Sequence, residues 1–210
     1  MSAMSTDELL WYTARASGLV AWALLSAGVL WGLALSTKVL GPRPRPSWML
    51  DLHRFLGATA VGFVGVHVGA ILVDGYTSFG PVEVLVPLTS AWNPIAVAWG
   101  IVAMYLLLAV ELTSLVRRRL SKRTWHLVHL LSLPLVVIST VHLLTAGTDT
   151  GNPALTGALL LTAAAIGALT GYRFLGGAAG EAPTRTPQSP SGSRSMPTTP
   201  PSGAPAAVRH

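Results

Sequence analysis

The 210-residue chain is 51% hydrophobic and only 10% charged, with a mean hydropathy of +0.55, whereas an ordinary soluble domain carries roughly 25% charged residues. This balance argues against a soluble globular enzyme. Cysteine is absent, which removes disulfides, thiolate metal sites, iron–sulfur clusters and cysteine nucleophiles, so any cofactor must be held by His, Met or oxygen ligands. The net charge of +6 would suggest nucleic acid in a soluble protein, but here the positions of the basic residues say more than their sum.

The apolar residues fall in blocks of about 20, each long enough at ~1.5 Å per residue to cross a ~30 Å hydrocarbon layer. The expected fold is an all-α polytopic membrane protein with five spans: 13–37, 53–74, 95–116, 125–146 and 154–175. The first ten residues have no basic n-region and carry Asp7 and Glu8, so no cleavable signal peptide is read there, and residues 1–12 form an extracytoplasmic N-terminus. Between the first two spans, Pro42, Pro44 and Pro46 cannot continue a helix. The connector 75–94 contains an apolar run, Val82 to Leu88, too short to span between Pro81 and Pro87, which predicts an interfacial or re-entrant segment. Residues 176–210 contain seven prolines among Gly, Ser, Thr and Ala, the composition of a disordered tail.

Sorting Lys and Arg by loop sets the orientation. Lys38, Arg43, Arg45 and Arg54 flank the first connector, Arg117, Arg118, Arg119, Lys122 and Arg123 fill the third, and Arg173, Arg185, Arg194 and Arg209 lie in the C-terminal segment, from the end of the last span onward. Thirteen of the 14 basic residues thus fall on one side, with Arg15 alone on the other, predicting an external N-terminus and a cytoplasmic C-terminus in a plasma-membrane protein.

Five of the six histidines, His53, His67, His126, His129 and His142, lie in or at the ends of spans two and four. Ionisable side chains in a bilayer are costly and usually mark a function. His53 and His67 are 14 residues apart, which brings them within ~40° of one face and separates them by ~21 Å. His129 and His142 are 13 apart, a rise of about 19.5 Å on a span running the same way. His53 can therefore face His129, and His67 can face His142, as two haems with paired imidazole ligands require. Thirteen residues of straight helix turn by ~220°, so His129 and His142 share a face only if the helix is distorted, for which Pro134 is the candidate. Glycines 57, 62, 65 and 69 in span two would allow a flat macrocycle to approach, or serve helix packing. Gly28 and Gly32 read as helix contact.

The run Leu52-His53-Arg54-Phe55-Leu56-Gly57, then His67, then Trp125-His126-Leu127-Val128-His129 with His142 and Thr145-Ala146-Gly147-Thr148-Asp149, resembles the ferric reductase-like transmembrane domain over residues 10–175. That superfamily includes ferric reductases, NADPH oxidases and the haem-binding membrane subunit of a methionine sulfoxide reductase system. The resemblance implies a haem-binding domain over 13–175, with two b-type haems between spans two and four. Carried over by position, the axial ligands are His53, His67, His129 and His142, while His126 is extra to the pattern. No flavin- or nicotinamide-binding domain is read in this chain, so the implied donor is a cytoplasmic flavoprotein reductase or a membrane quinol, and the implied acceptor an external ferric species or protein.

Haem propionates attract guanidinium groups. Arg15 is the candidate for the outer haem and Arg54 for the inner one, with interfacial snorkelling as the competing reading of both. Glu111 is expected to pair with Arg117 or Arg118. Six tryptophans near span ends, Trp125 among them, read as an aromatic belt. Two other functions stay open: a haem-bearing membrane anchor for an external oxidoreductase, and a cofactor-free proton or metal transporter, although the spans hold few acids. No serine hydrolase, phosphate-binding or nucleic-acid signature is present.

Overall fold

The computed structural model describes residues 5–37, 46–74 and 79–179. Among these the chain is helical and has no strand. Its elements are α1 (Thr6–Thr37), α2 (Ser47–Val73), the short α3 (Pro81–Leu85), α4 (Pro94–Leu115), a 3-10 turn (Arg117–Arg119), α5 (Lys122–Leu130), α6 (Ser132–Ala146) and α7 (Pro153–Ala179). Five stretches are long and apolar enough to cross a membrane: α1, α2, α4, α5 with α6 (Lys122–Ala146), and α7 as far as Arg173. The protein is a multi-pass helical membrane protein.

The largest departure from expectation is the start of α1. Ser5 Oγ accepts from the Glu8 N–H at 3.2 Å, while the Ser5 N–H donates to Glu8 Oε2 at 2.9 Å. This reciprocal cap satisfies two backbone groups and starts the helix at Thr6, seven residues before the expected span. At the other end α7 runs on to Ala179, past the boundary expected at 175, and the remainder of the expected tail lies outside the described residues. So does most of the proline-rich first connector. The apolar run expected to be interfacial or re-entrant forms the short α3, whose Leu85 carbonyl accepts from the Tyr105 hydroxyl of α4 at 2.5 Å. Asn93, at φ 35°, then caps α4 through its Oδ1 and the Ala96 N–H, ahead of Pro94 at the first helical turn.

Helix α1 is the centre of the bundle, packing against α2, α6 and α7, while α4 packs against α5 and α6 and more lightly against α2. Val29 and Leu33 of α1 meet Val136 of α6, with Ile166 and Leu169 of α7 against them. Ala103 and Leu107 of α4 meet Leu135 of α6. The van der Waals fit of these side chains is what holds the helices together in a bilayer, since lipid is as apolar as the side chains themselves. The large apolar side chains left outside, such as Leu115, Leu161 and Leu175, suit a hydrocarbon solvent.

The fourth span is not one straight helix. Pro134 has no N–H to give the Leu130 carbonyl, and at this point the Leu131 N–H bonds back to Val128, one residue short of the α-helical register. The resulting break at Leu131 separates α5 from α6 and resets the rotation between His129 and His142.

Candidate functional site

The bundle brings the histidines together in two cross-helix pairs. His53 of α2 and His129 of α5 have ring centroids 5.9 Å apart, with planes at 75°. His67 of α2 and His142 of α6 are 6.3 Å apart, with planes at 82°. The first pair lies at the end of the bundle that carries Arg117 to Arg119, Lys122 and Arg123, here termed the basic end; the second lies at the Arg15 end. The exposed His126 joins neither pair.

At the Arg15 end both imidazoles are seated in the same way on a neighbouring helix. His67 Nδ1 is 2.7 Å from the Ala14 carbonyl of α1, and His142 Nδ1 is 2.8 Å from the Ala96 carbonyl of α4. A carbonyl only accepts, so each Nδ1 carries the proton and each Nε2 keeps its lone pair. One helical turn beyond each carbonyl stands a glycine under the ring. A Cβ on Gly18 would come 3.0 Å from His67 Nδ1, and one on Gly100 would come 2.6 Å from His142 Cε1. At Gly100 that is closer than side-chain atoms approach, and at Gly18 it is tight enough that the ring would have to give by a few tenths of an ångström.

The seat recurs at the basic end for His53 but not for His129. A Cβ on Gly32 would lie 3.1 Å from His53 Cε1. Gly18 and Gly32 are 14 residues apart on α1, the spacing of His67 and His53 on antiparallel α2. Fourteen residues on from Gly100, α4 carries Ser114, and no glycine among the described residues lies against His129. His53 faces the Gly28 carbonyl, one turn before Gly32 as Ala14 is one turn before Gly18, whereas His129 Nδ1 and Ser114 Oγ are buried without a hydrogen-bond partner. Such atoms cost stability unless a bound group orders their surroundings.

A cavity of about 320 Å³ opens inside the Arg15 end. It is lined by His67 and His142 and by mostly apolar side chains of α1, α2, α4 and α6, among them Trp22, Leu107 and Leu135. Trp22 is held in its wall by an Nε1 bond to Thr140 Oγ1 at 2.9 Å. Arg15 also lines this cavity, where it forms an ion pair with Asp149 and lies over the Trp11 ring. Asp149 stood in the motif run without a role, and no local pattern could pair it with a residue 134 positions away. Arg54 pairs with Asp51 on the surface, both side chains 64% exposed.

Three further expectations are corrected or refined. Glu111 does not pair with an arginine among the described residues. The 3-10 turn carries Arg117 over the Trp125 ring, and the Glu111 carboxylate occupies the space that a Cβ on Gly57 would need. Gly62, Gly65 and Gly69 face open space, the last two in a second apolar hollow between α2 and α4. Trp125, read as belt, lies stacked on His129 at 5.0 Å and 19°.

Because the Arg15–Asp149 pair joins α1 to the α6–α7 loop in a half-buried setting, it should hold that end together. A double-mutant cycle with Arg15→Ala and Asp149→Ala, measured by unfolding in mixed micelles, is expected to give a coupling energy of about 1 kcal/mol. Strict additivity of the two single changes would show that the pair contributes nothing.

The rings of each pair are spaced as two ligands of one metal would be, and at the Arg15 end they border a cavity able to receive an apolar group. A metal bonded to two imidazoles at about 2 Å each, with roughly 1 Å from nitrogen to ring centre, needs centroids about 6 Å apart, which both pairs satisfy. The donor set is neutral imidazole in an apolar cavity, with each Arg15-end ring oriented through its other nitrogen. A five-span helical bundle with intramembrane histidines paired at both ends defines a polytopic membrane domain built around buried imidazoles. The model of the ferric reductase like transmembrane component family matches residues 17–140, and the chain belongs to that family. The match contains His53, His67 and His129, and ends two residues before His142. Comparison with curated proteins and with solved structures gave no match. A transmembrane domain of this family suggests transmembrane electron transfer.

Proposed function

We propose that this chain is a b-type diheme electron conduit, with one haem held by His53 and His129 and the other by His67 and His142. The observation that carries the reading is the pair of imidazole pairs, each at bonding separation for one metal, set about 20 Å apart along the bundle by 14 residues of helix. Each bound haem supplies reversible one-electron chemistry at its iron.

The residues divide the remaining work. The Ala14 and Ala96 carbonyls fix the tautomers and ring directions of His67 and His142, and Gly18, Gly32 and Gly100 let the Nδ1–Cε1 edges of the rings come close against their neighbouring helices. Walls from α1, α4 and α6 make the Arg15-end cavity mostly apolar. Arg15, at the mouth of that cavity, offers a cation to a propionate in exchange for, or together with, its bond to Asp149. In this reading the basic end lies in the cytoplasm, which the bias of Lys and Arg toward that side supports, and receives electrons from a flavoprotein or a membrane quinol. The Arg15 end faces outward, toward a ferric or protein acceptor in the plasma-membrane exterior.

Vesicles with the haem-loaded protein, ferricyanide trapped inside and an impermeant reductant outside, test the conduit. The wild-type chain should bleach the trapped ferricyanide, and a His53→Ala/His67→Ala double variant should not. Equal bleaching by both would exclude transfer through these sites.

A further inference from the structure

Three of the four paired histidines rest on a glycine of a neighbouring helix, and His129 is the exception. Its ring lies instead on Trp125, one turn earlier on α5, and Trp125 in turn has the Arg117 guanidinium 4.5 Å from its centroid. The sequence builds this stack locally. Ser121 caps α5 by accepting from the Thr124 N–H at 3.0 Å and, through its carbonyl, from the Trp125 N–H at 3.0 Å, which fixes where the indole starts. The 3-10 turn, closed by Arg119 N–H to Val116 and Leu120 N–H to Arg117, folds Arg117 back over it. Trp125 and His129, four residues apart, share a helix face.

We infer that Trp125 is a positioning residue for the basic-end site, fixing the plane of the His129 imidazole in place of a glycine seat, and that Arg117 sets the charge beside it. This rests on the reading that His53 and His129 hold a haem. Aromatic stacking restricts ring rotation that neither a Nδ1 hydrogen bond nor a backbone wall restrains here. A fixed cation beside the site disfavours the oxidised, more positive form, so Arg117 raises the reduction potential of that haem and not of the other.

The test uses the full haem-loaded chain, with electron paramagnetic resonance of the ferric low-spin signals and a redox titration as readouts. His67→Ala first identifies which signal belongs to the basic end. Trp125→Ala should then shift that signal or lose that haem while leaving the Arg15-end signal in place. Trp125→Phe should restore it, and Arg117→Gln should lower the midpoint potential of that haem alone with unchanged haem content. If Trp125→Ala does not fold, Trp125→Phe and Arg117→Gln carry the comparison. Unchanged signals and potentials in Trp125→Ala, a Trp125→Phe as altered as the alanine variant, or an Arg117→Gln potential equal to wild type would overturn the inference. A wild-type chain without a second low-spin haem would overturn the underlying two-site reading before any variant is compared.

Discussion

Replacing His67 or His142 by alanine is expected to remove one of two haems and leave the other in place; His53→Ala and His129→Ala should each remove the second and spare the first. The expectation follows from geometry. The two pairs are separated by about 20 Å of helix, share no side chain, and each brings two rings to about 6 Å. An alanine leaves one imidazole opposite an empty half-site, which halves the ligand set of that iron without touching the other. Haem per polypeptide, measured by pyridine haemochrome on the purified variants, should fall from two to about one in each case. Retention of both haems by the His67 and His142 variants would remove these residues from the ligand set.

The second large effect is expected at a residue that carries no functional group. Gly100→Ala places a Cβ 2.6 Å from His142 Cε1, too close for any real contact, and the ring is tied through Nδ1 to the Ala96 carbonyl on the same helix face. The ring cannot keep both that bond and its distance from the new methyl. The Arg15-end haem should therefore bind at least about tenfold more weakly, the usual effect of disturbing the groups that orient a metal-binding histidine. Gly62→Ala is the matched control, since nothing lies within 4 Å of the Cβ it would add. Haem retention during dilution separates the two variants; equal retention would mean that the glycine seat does not position His142.

Much of this was legible because a helix converts residue count into depth. The spacings 53 to 67 and 129 to 142 place matching imidazoles at matching depths before any contact is known, and the imperfect phase of the second spacing points to a distortion near Pro134, where the chain breaks at Leu131. The glycine seats were present in the sequence as a second spacing of 14, Gly18 to Gly32, but on antiparallel helices its meaning appears only once one contact fixes the register. The four glycines of α2 are the more conspicuous set in the sequence, yet Gly57 receives Glu111 and the others face open space. The Arg15–Asp149 pair and the Arg117–Trp125–His129 stack depend on how loops fold back on helix ends. Arg117 and Trp125 had sufficient local explanations, positive-inside charge and interfacial aromatic, that concealed their contact with a histidine. The start of α1 is a separate quantity from the start of its span: hydropathy marks where the membrane begins, whereas the Ser5 and Glu8 cap marks where the helix begins.

The central claim is that four histidines hold two haems in one bundle. The dithionite-reduced minus oxidised absorption spectrum of the purified chain, with haem quantified per polypeptide after expression with adequate haem supply, tests it most directly. Two b-type haems per chain are the predicted result, whereas a chain that takes up no haem under those conditions would contradict the account.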